Sequence, residues 1–361
     1  MISFHAWKAF LKTVQCVSAI FSLFLNSLLI VLIVTRSPRT LGSYKYLMIY
    51  TAVFELFYST WDIITEPVVH SYGSAFVIFR NFENSVFDRE QSFYLIIVLC
   101  GCFGFSLACF EVHFAYRYGT INKAFWDKFL SGKKFVFCFI FPFLYAFVWS
   151  IICVYHHHFN IHSDEYMRTS ISDGYNLEME DISYMFVIFH PLDKNGVSHP
   201  NWIMLGTIFF HWGQAAFSLF CVTFFGTKCY LEISKSVSSM SSQSKRSKSL
   251  QHQLFQALVI QTMIPICLLY TPISILYAFP MLKMDVGVAS SFLAATIAVF
   301  PAIDPLPNLI IIKPYRVAIL DTIAGLFPFL CEGRSSNSVA MDTIDISFSA
   351  KITPKSTTRM M

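Results

Sequence analysis

The sequence predicts an all-α membrane protein, a bundle of seven transmembrane helices with the N-terminus outside and the C-terminus inside. Between Lys12 and Lys313 a long apolar run followed by a short polar gap occurs seven times. A helix needs about 20 apolar residues to cross the hydrocarbon core of a bilayer. Several runs exceed that length without one charged residue, as in 13–35, 135–163, 195–227 and 249–282. Basic residues are concentrated in alternate gaps, which predicts the orientation.

The composition excludes an ordinary soluble domain. Hydrophobic residues make up 55% of the chain and charged residues only 13%, with 39 Phe, whereas a soluble domain has about 25% charged residues. A net charge of +4 is modest and does not indicate nucleic-acid binding. The expected surroundings are therefore a lipid bilayer.

The seven spans are expected at 14–35, 44–66, 92–116, 135–155, 200–226, 253–280 and 287–312. The second, third and seventh contain acidic residues and have the weakest hydropathy signal. The first follows Lys8 and Lys12, as the core of a signal peptide would. However, it is longer than the roughly 7–15 residues of such a core, and no small-residue cleavage site closes it. We expect it to be retained as a helix.

The distribution of Lys and Arg predicts which side is cytoplasmic, because cytoplasmic loops are rich in them. The first, third and fifth gaps and the C-terminal tail hold 19 of the 26 basic residues. The gap 155–199 has seven acids and only Arg168 and Lys194 as cations, as expected outside. We expect an outside N-terminus at 1–13, a membrane domain at 14–312, and a cytoplasmic tail at 313–361, largely disordered after about 332. Seven spans in a plasma membrane are the usual architecture of a receptor that carries a signal inward.

The loops give few chemical signals. The 155–199 loop contains His156, His157, His158 and His162, so a metal site is conceivable, but adjacent histidines rarely converge on one ion and a solvated loop is the alternative. None of the ten cysteines lies in 67–91 or 155–199, so no disulfide framework is expected outside. No cofactor or metal is predicted. Cys331, after an apolar run at 325–330, is a candidate for palmitoylation.

A Ser-rich, basic segment occupies the gap 227–252. It lacks the apolar residues that drive packing, so it is expected to be mobile. Serines beside Lys245, Arg246 and Lys248 suit a basophilic kinase acting within 234–249. A plain solvated linker is the alternative.

Ionisable residues within the spans are few, which makes each informative, because such groups are costly in a membrane and usually face the bundle interior. Glu55, Asp304 and Asn26 are expected to approach one another, either as a switch network or as structural hydrogen bonds. Asp62 lies near the outer end of its helix and is expected to be wet. Helices six and seven each contain three prolines, which predict bends there. They are Pro265, Pro272 and Pro280 in the sixth and Pro301, Pro305 and Pro307 in the seventh.

Several short stretches, in order and at the right helix ends, resemble a known family over about residues 10–320. They are Leu41 to Met48 after the first helix, Tyr116-Arg117-Tyr118 closing the third, His211 to Gln214 in the fifth, Gln251 to Gln261 with Pro265 and Tyr270-Thr271-Pro272 in the sixth, and Asp304-Pro305-Leu306-Pro307 with Tyr315-Arg316 at the end of the seventh. The chain resembles a nematode seven-transmembrane chemoreceptor of the Str (serpentine receptor class r) type.

The resemblance implies a G-protein-coupled, odorant-type receptor in the ciliary membrane of sensory neurons, and not an enzyme. It implies that Arg117 faces a heterotrimeric G protein and that Asp304-Pro305 is the switch element of the seventh helix. Tyr116 replaces the usual acid before the arginine, and the sixth helix begins with Gln251, Gln253 and Gln256. An ionic latch of the familiar kind is therefore not expected.

A small volatile or apolar ligand is expected between the outer halves of helices three, five, six and seven. The predicted walls are Phe93, Tyr94, Trp202, Phe209, Tyr270, Tyr277 and Phe292. Two other classes stay open at this point. A seven-span ligand-gated cation channel would need polar stripes along several helices, and a transporter would share the broken helices, although no internal repeat is evident.

Overall fold

The computed structural model describes residues 4–193, 195–237, 242–284 and 286–326. Among these residues, seven helices are long and apolar enough to cross a membrane. They are α1 (Phe4–Arg36), α2 (Tyr44–Thr65), α3 (Arg89–Ile121), α4 (Phe137–His156), α5 (Trp202–Val237), α6 (Ser242–Pro265, a π-helical turn Ile266–Tyr270, then Thr271–Met281) and α7 (Phe292–Ile303, then Leu306–Ile311). The prediction of a seven-helix membrane bundle is confirmed.

Two further helices lie outside the spans, a loop helix Ile161–Tyr175 and a tail helix Lys313–Leu326. Short helical turns occur at Arg39–Leu41, Lys123–Phe125, Trp126–Leu130, Gly132–Val136, Met179–Asp181 and Gly287–Ser291. Residues up to 316 form one compact unit, and the described residues beyond 316 belong to a second.

The prediction of a mobile segment at 227–252 concerns motion and stays a prediction, but most of the described backbone there is helical. α5 continues to Val237 and α6 begins at Ser242. Helix is tolerated here because the sequence 228–252 contains no Pro or Gly, the residues that break helices. The kinase prediction for 234–249 concerns side chains that lie almost wholly outside the described residues. The palmitoylation prediction concerns Cys331, which also lies outside them. Both stay predictions.

α3 is the central helix of the bundle and is buried on nearly all sides. Its start is set by a capping box: the Asp88 carboxylate accepts from Gln91 N at 2.8 Å, and the Gln91 side chain accepts from Asp88 N at 3.1 Å. α4 packs closely against it where α3 has small residues. A Cβ on Gly104 would lie 3.1 Å from Cβ of Trp149, so a larger residue there would push the two helices apart.

Proline explains the irregular course of the last two helices. Pro265 precedes the π-helical turn of α6, and α7 is interrupted at Asp304 and Pro305. A proline has no backbone N–H and its ring clashes with the preceding turn. The irregular segments of helices six and seven therefore lie next to prolines.

A three-stranded antiparallel sheet covers one end of the bundle, which we call the sheet end. Its strands are β1 (Val68–Tyr72), β2 (Ala75–Asn81) and β3 (Ile182–Ile188), in the order β1-β2-β3, with Val69 opposite Ile78 and Val77 opposite Phe186. β1 and β2 are joined by a tight turn at Gly73 (φ +56°), a backbone conformation that favours glycine.

The sheet separates two apolar layers. Phe76, Met185 and Val187 pack toward the bundle, whereas Val77 and Phe186 pack toward the loop helix, as the twofold period of a strand requires. The interpretation of 67–91 and 155–199 as loops was therefore wrong. Their apolar and β-branched runs pair across about a hundred residues and bury both faces.

Candidate functional site at the Arg117 end

Arg117 lies at the opposite end of the bundle, which we call the Arg117 end, and is only 3% exposed. Its Nη1 donates to Gln251 Oε1 of α6 at 3.0 Å. Its Cζ lies 3.5 Å from the ring centroid of Tyr44 in α2, as a cation–π contact. Within the described chain, Nε and Nη2 have no hydrogen-bond partner, and no carboxylate pairs with the guanidinium. A buried cation thus links α3 to α6 and α2 through neutral groups alone.

The two tyrosines beside Arg117 have packing roles. Tyr116 is buried, with its ring 5.3 Å from that of Tyr44 and 5.4 Å from that of Trp126. Tyr118 packs on Phe225 of α5, with ring centroids 5.5 Å apart. Of the three predicted switch residues 116–118, only Arg117 contacts α6 through a polar group.

His113, one turn further into α3, extends the contact with α2. Its Nδ1 lies 2.9 Å from the Tyr44 hydroxyl and its Nε2 lies 2.8 Å from Thr51 Oγ1. Tyr44 therefore touches Arg117 with its ring and His113 with its hydroxyl. Sequence reasoning placed Tyr44 in the family-resembling stretch 41–48 but gave it no role in this site, because a Tyr at the start of a helix carries no distinctive signal.

The predicted approach of Asn26, Glu55 and Asp304 is found in the structure. All three line one small internal cavity between α1, α2, α3, α6 and α7, with a volume of about 20 Å³, which is room for about one water molecule. Asn26 Nδ2 donates to Pro301 O at 3.0 Å, and Glu55 and Asp304 line the same cavity. We call these groups, with Gln261, the polar core.

Gln261 connects α6 to this cluster. Its Nε2 donates to Asp304 Oδ2 at 2.9 Å and to Asp304 O at 3.0 Å. In the second bond the acceptor is the backbone carbonyl of Asp304, which lies at the interruption of α7. The sequence feature that could have pointed to Gln261 is its polar side chain within the apolar run 249–282. Asp62 lies elsewhere and, at 3% exposure, is buried, so the prediction that it is wet was wrong.

The seven predicted ligand-wall aromatics divide into two sets. Phe93 and Tyr277 are buried and Tyr270 is half-buried; they pack on His158, on Phe76 of β2 and on Phe103, respectively. The other four are more than half exposed on the surface of the bundle, which corrects their assignment as pocket walls: Tyr94, Trp202, Phe209 and Phe292. Their helices turn these positions away from the interior, as lipid-facing aromatics require.

A buried imidazole lies between the sheet end and the bundle centre. His211 of α5 is 1% exposed and stacks on Trp149 with ring centroids 4.1 Å apart. Among the described residues, neither of its ring nitrogens has a hydrogen-bond partner. An unpartnered buried polar group costs free energy, so His211 is a candidate contact for a polar atom of a ligand.

The histidines of 156–162 diverge in the structure. His157 is buried and its Nε2 lies 3.0 Å from Thr207 Oγ1, whereas His158 Nε2 lies 3.2 Å from Glu90 Oε2. Within the described residues, no three His, Cys, Asp or Glu side chains are grouped as a metal site would require. All nine cysteines that the structure describes are free thiols.

Comparison with known proteins defines the class. The chain has the fold of squid rhodopsin, with a TM-score of 0.61 over 91% of this chain and 83% of that chain, at 12% sequence identity. It therefore shares the seven-helix architecture of that protein.

The family follows from sequence. Residues 11–320 match the model of the serpentine type 7TM GPCR chemoreceptor Str family, and the chain belongs to that family. It is 36% identical to the G-protein coupled receptor str-217 of Caenorhabditis elegans, over 89% of this chain and 90% of that protein. It is 25% identical to serpentine receptor class r-10 of the same species, over 95% and 99%. The chain is thus a G-protein-coupled chemosensory receptor, and the family assignment favours this over the channel and transporter alternatives.

Proposed function

We propose that the chain detects a small, largely apolar ligand in the sheet-end half of its bundle and activates a heterotrimeric G protein at the Arg117 end. The sheet end is then extracellular and the Arg117 end cytoplasmic, in agreement with the distribution of basic residues. The membrane is the plasma membrane, and family resemblance suggests that of a sensory cilium. Phe93, Tyr270 and Tyr277 supply apolar surface to the ligand, and His211 supplies a polar contact.

The observation that carries the proposal is the Arg117–Gln251 bond. It joins the end of α3 to the first half of α6, and its acceptor, the Gln251 amide oxygen, is neutral. A hydrogen bond to a charged group stabilises a structure by about 1.5–3 kcal/mol. Such a bond holds the two helices together in the resting receptor but is weak enough for a ligand to overcome.

The polar core provides the route between the two ends. Gln261 binds Asp304, so α6 and α7 are tied at mid-bundle, while the π-helical turn Ile266–Tyr270 lies between that tie and the sheet end. A ligand that shifts Tyr270 or Tyr277 moves the part of α6 beyond the turn. The rest of α6 then pivots near Gln261, and its beginning swings away from Arg117.

A ligand-independent assay tests this assignment. Gln251→Ala removes the bond to Arg117 and should raise basal G-protein nucleotide exchange by about tenfold, because about 1.4 kcal/mol corresponds to a factor of ten in an equilibrium. Gln256→Ala is the matched control, because Gln256 is an exposed glutamine on the same helix. Its basal exchange should equal that of the wild type.

Equal surface expression of the three proteins is measured in parallel by a tag on the N-terminus. If Gln251→Ala and Gln256→Ala both show wild-type basal exchange, the Arg117–Gln251 bond does not hold the resting state. Access of antibody to the N-terminal tag on intact cells also tests the orientation.

A further inference from the structure

A second cavity lies at the sheet end, away from the polar core. It has a volume of about 520 Å³ and opens between the beginning of α1, the end of α2, β2 and the segment after the loop helix. Apolar side chains of Leu11, Ile64, Phe79 and Leu177 contribute to its walls. Binding sites for small organic molecules have volumes of about 300–1,000 Å³. We call this space the Arg80 cleft.

Arg80 of β2 lines the cleft and is 95% buried, with a relative exposure of 5%. Its Nη1 donates to Ser92 Oγ at 3.3 Å and its Nη2 donates to Ser85 Oγ at 3.2 Å. Both bonds are long and both acceptors are neutral. Arg80 Nε is buried and has no hydrogen-bond partner in the part of the chain that the structure describes.

The acidic residue facing the cleft does not neutralise Arg80. Glu66 accepts from Lys12 Nζ at 3.0 Å, and both side chains are at least half exposed. Burial lowers the pKa of Arg80, and the charge of Glu66 offsets this only in part. The guanidinium stays protonated, since an arginine pKa is above 12 in water. The cleft therefore contains a buried cation without a paired carboxylate among the described residues.

Arg89, a neighbour in sequence, shows the arrangement that Arg80 lacks. Arg89 Nη2 lies 2.6 Å from Asp164 Oδ1. Buried charges in proteins are usually paired, because removing an ion from water is costly. The same cost applies to Arg80, and an anion from outside the chain would offset it.

We propose that the Arg80 cleft binds a small amphiphilic carboxylate, with the carboxylate on Arg80 and the hydrocarbon part along the apolar walls. Among the described residues, Arg80 Nε is a donor without a partner, and a guanidinium can hold a carboxylate through two parallel N–H donors. One buried cation matches a monoanion. This site goes beyond the proposed function, because it lies apart from His211 and the polar core, and binding there does not depend on G-protein coupling.

Direct binding to the full-length receptor in phosphatidylcholine nanodiscs tests the proposal without a signalling step. The probe is radiolabelled octanoate, with unlabelled octanoate and methyl octanoate as competitors. Wild type should bind saturably, and methyl octanoate should not compete. Arg80→Gln should weaken binding by at least about tenfold, the effect expected for losing a charge-assisted pair. Arg168→Gln, which removes an exposed arginine from the same end, should bind as wild type.

Leu177→Trp keeps the test decisive if Arg80→Gln does not fold. The larger ring fills the cleft from the segment after the loop helix and should abolish octanoate binding while leaving Arg80 in place. Wild-type affinity in a folded Arg80→Gln or Leu177→Trp protein would overturn the proposal, as would competition by methyl octanoate. Displacement of octanoate by phosphatidylglycerol added to the nanodisc would assign the cleft to a lipid phosphate. It would overturn the proposal that the ligand is a small carboxylate. Basal exchange by Gln251→Ala is independent of all these results.

Discussion

The two ends of the bundle are held together by different chemistry. At the Arg117 end, a buried arginine is bound by a neutral amide and the face of an aromatic ring. At the sheet end, Arg89 pairs with the carboxylate of Asp164, which also accepts from the Tyr184 hydroxyl at 2.7 Å. The sheet end is therefore fastened by an ion pair, and the Arg117 end by contacts of an arginine with neutral groups.

The backbone enlarges this difference. At the sheet end, two segments a hundred residues apart form one sheet with a fixed register, and the loop helix covers its far side. Regions with many buried apolar contacts and paired strands open least often. The sheet and loop helix thus form a rigid cover over one end without a disulfide among the described cysteines, while the helices at the other end stay free to move apart.

The largest effect is expected at Arg117. Arg117→Ala should abolish G-protein activation, including the raised basal exchange of Gln251→Ala when the two changes are combined, because the activated state lacks its cation for the G protein. Nucleotide exchange measured at matched surface expression checks this. A double variant as active as Gln251→Ala would show that Arg117 only fastens the bundle and does not contact the G protein.

A large stability effect is expected where α3 meets α4, between the two ends. Gly104→Leu places a side chain against Trp149, which itself stacks on His211, and overpacking of this kind costs about 1–3 kcal/mol. The melting temperature in detergent should fall. Gly206→Leu is the control, since a Cβ at Gly206 of α5 has no neighbour within 4 Å among the described residues, and its melting temperature should equal that of the wild type.

A local effect is expected at the sheet end. Asp164→Asn removes the charged acceptor of Arg89 and Tyr184, and a hydrogen bond to a charged group is worth about 1.5–3 kcal/mol. Amide hydrogen exchange should rise in β3 and the loop helix and stay constant around Arg117. The exposed Asp173 of the same helix provides the control Asp173→Asn. Equal acceleration at both ends would contradict the separation of the bundle into two differently fastened ends.

The smallest effect is expected for the exposed pair of Arg168 and Glu180. Arg168 lowers the pKa of the Glu180 carboxyl. The pair therefore contributes stability above the ordinary pKa of a glutamate and loses it as the pH falls through the lowered one. Exposed pairs contribute little, so Arg168→Gln should match the wild-type melting temperature at low pH and lie only slightly below it at neutral pH. A difference in melting temperature between wild type and Arg168→Gln that grows as the pH falls would contradict this prediction.

Hydropathy located all seven helices, because burial in lipid demands a long apolar run whatever the neighbours are. It did not locate the sheet, since the pairing of Val77 with Phe186 joins segments that each look like a short apolar loop. The prediction of ligand-pocket walls was also wrong for Tyr94, Trp202, Phe209 and Phe292, which are exposed. An aromatic ring suits a lipid-facing surface and a helix interface equally well, so its residue type does not reveal its direction.

The sequence by itself determined the membrane class, the number of spans, the irregular segments near the prolines and the family. These depend on composition and local covalent geometry, which every stretch of chain carries alone. The tertiary structure decided that Gln251 meets Arg117, that Gln261 meets Asp304, and that Arg80 lies in a cleft without a carboxylate partner in the described chain. These are contacts between helices and strands far apart in sequence, and their geometry depends on how whole elements pack.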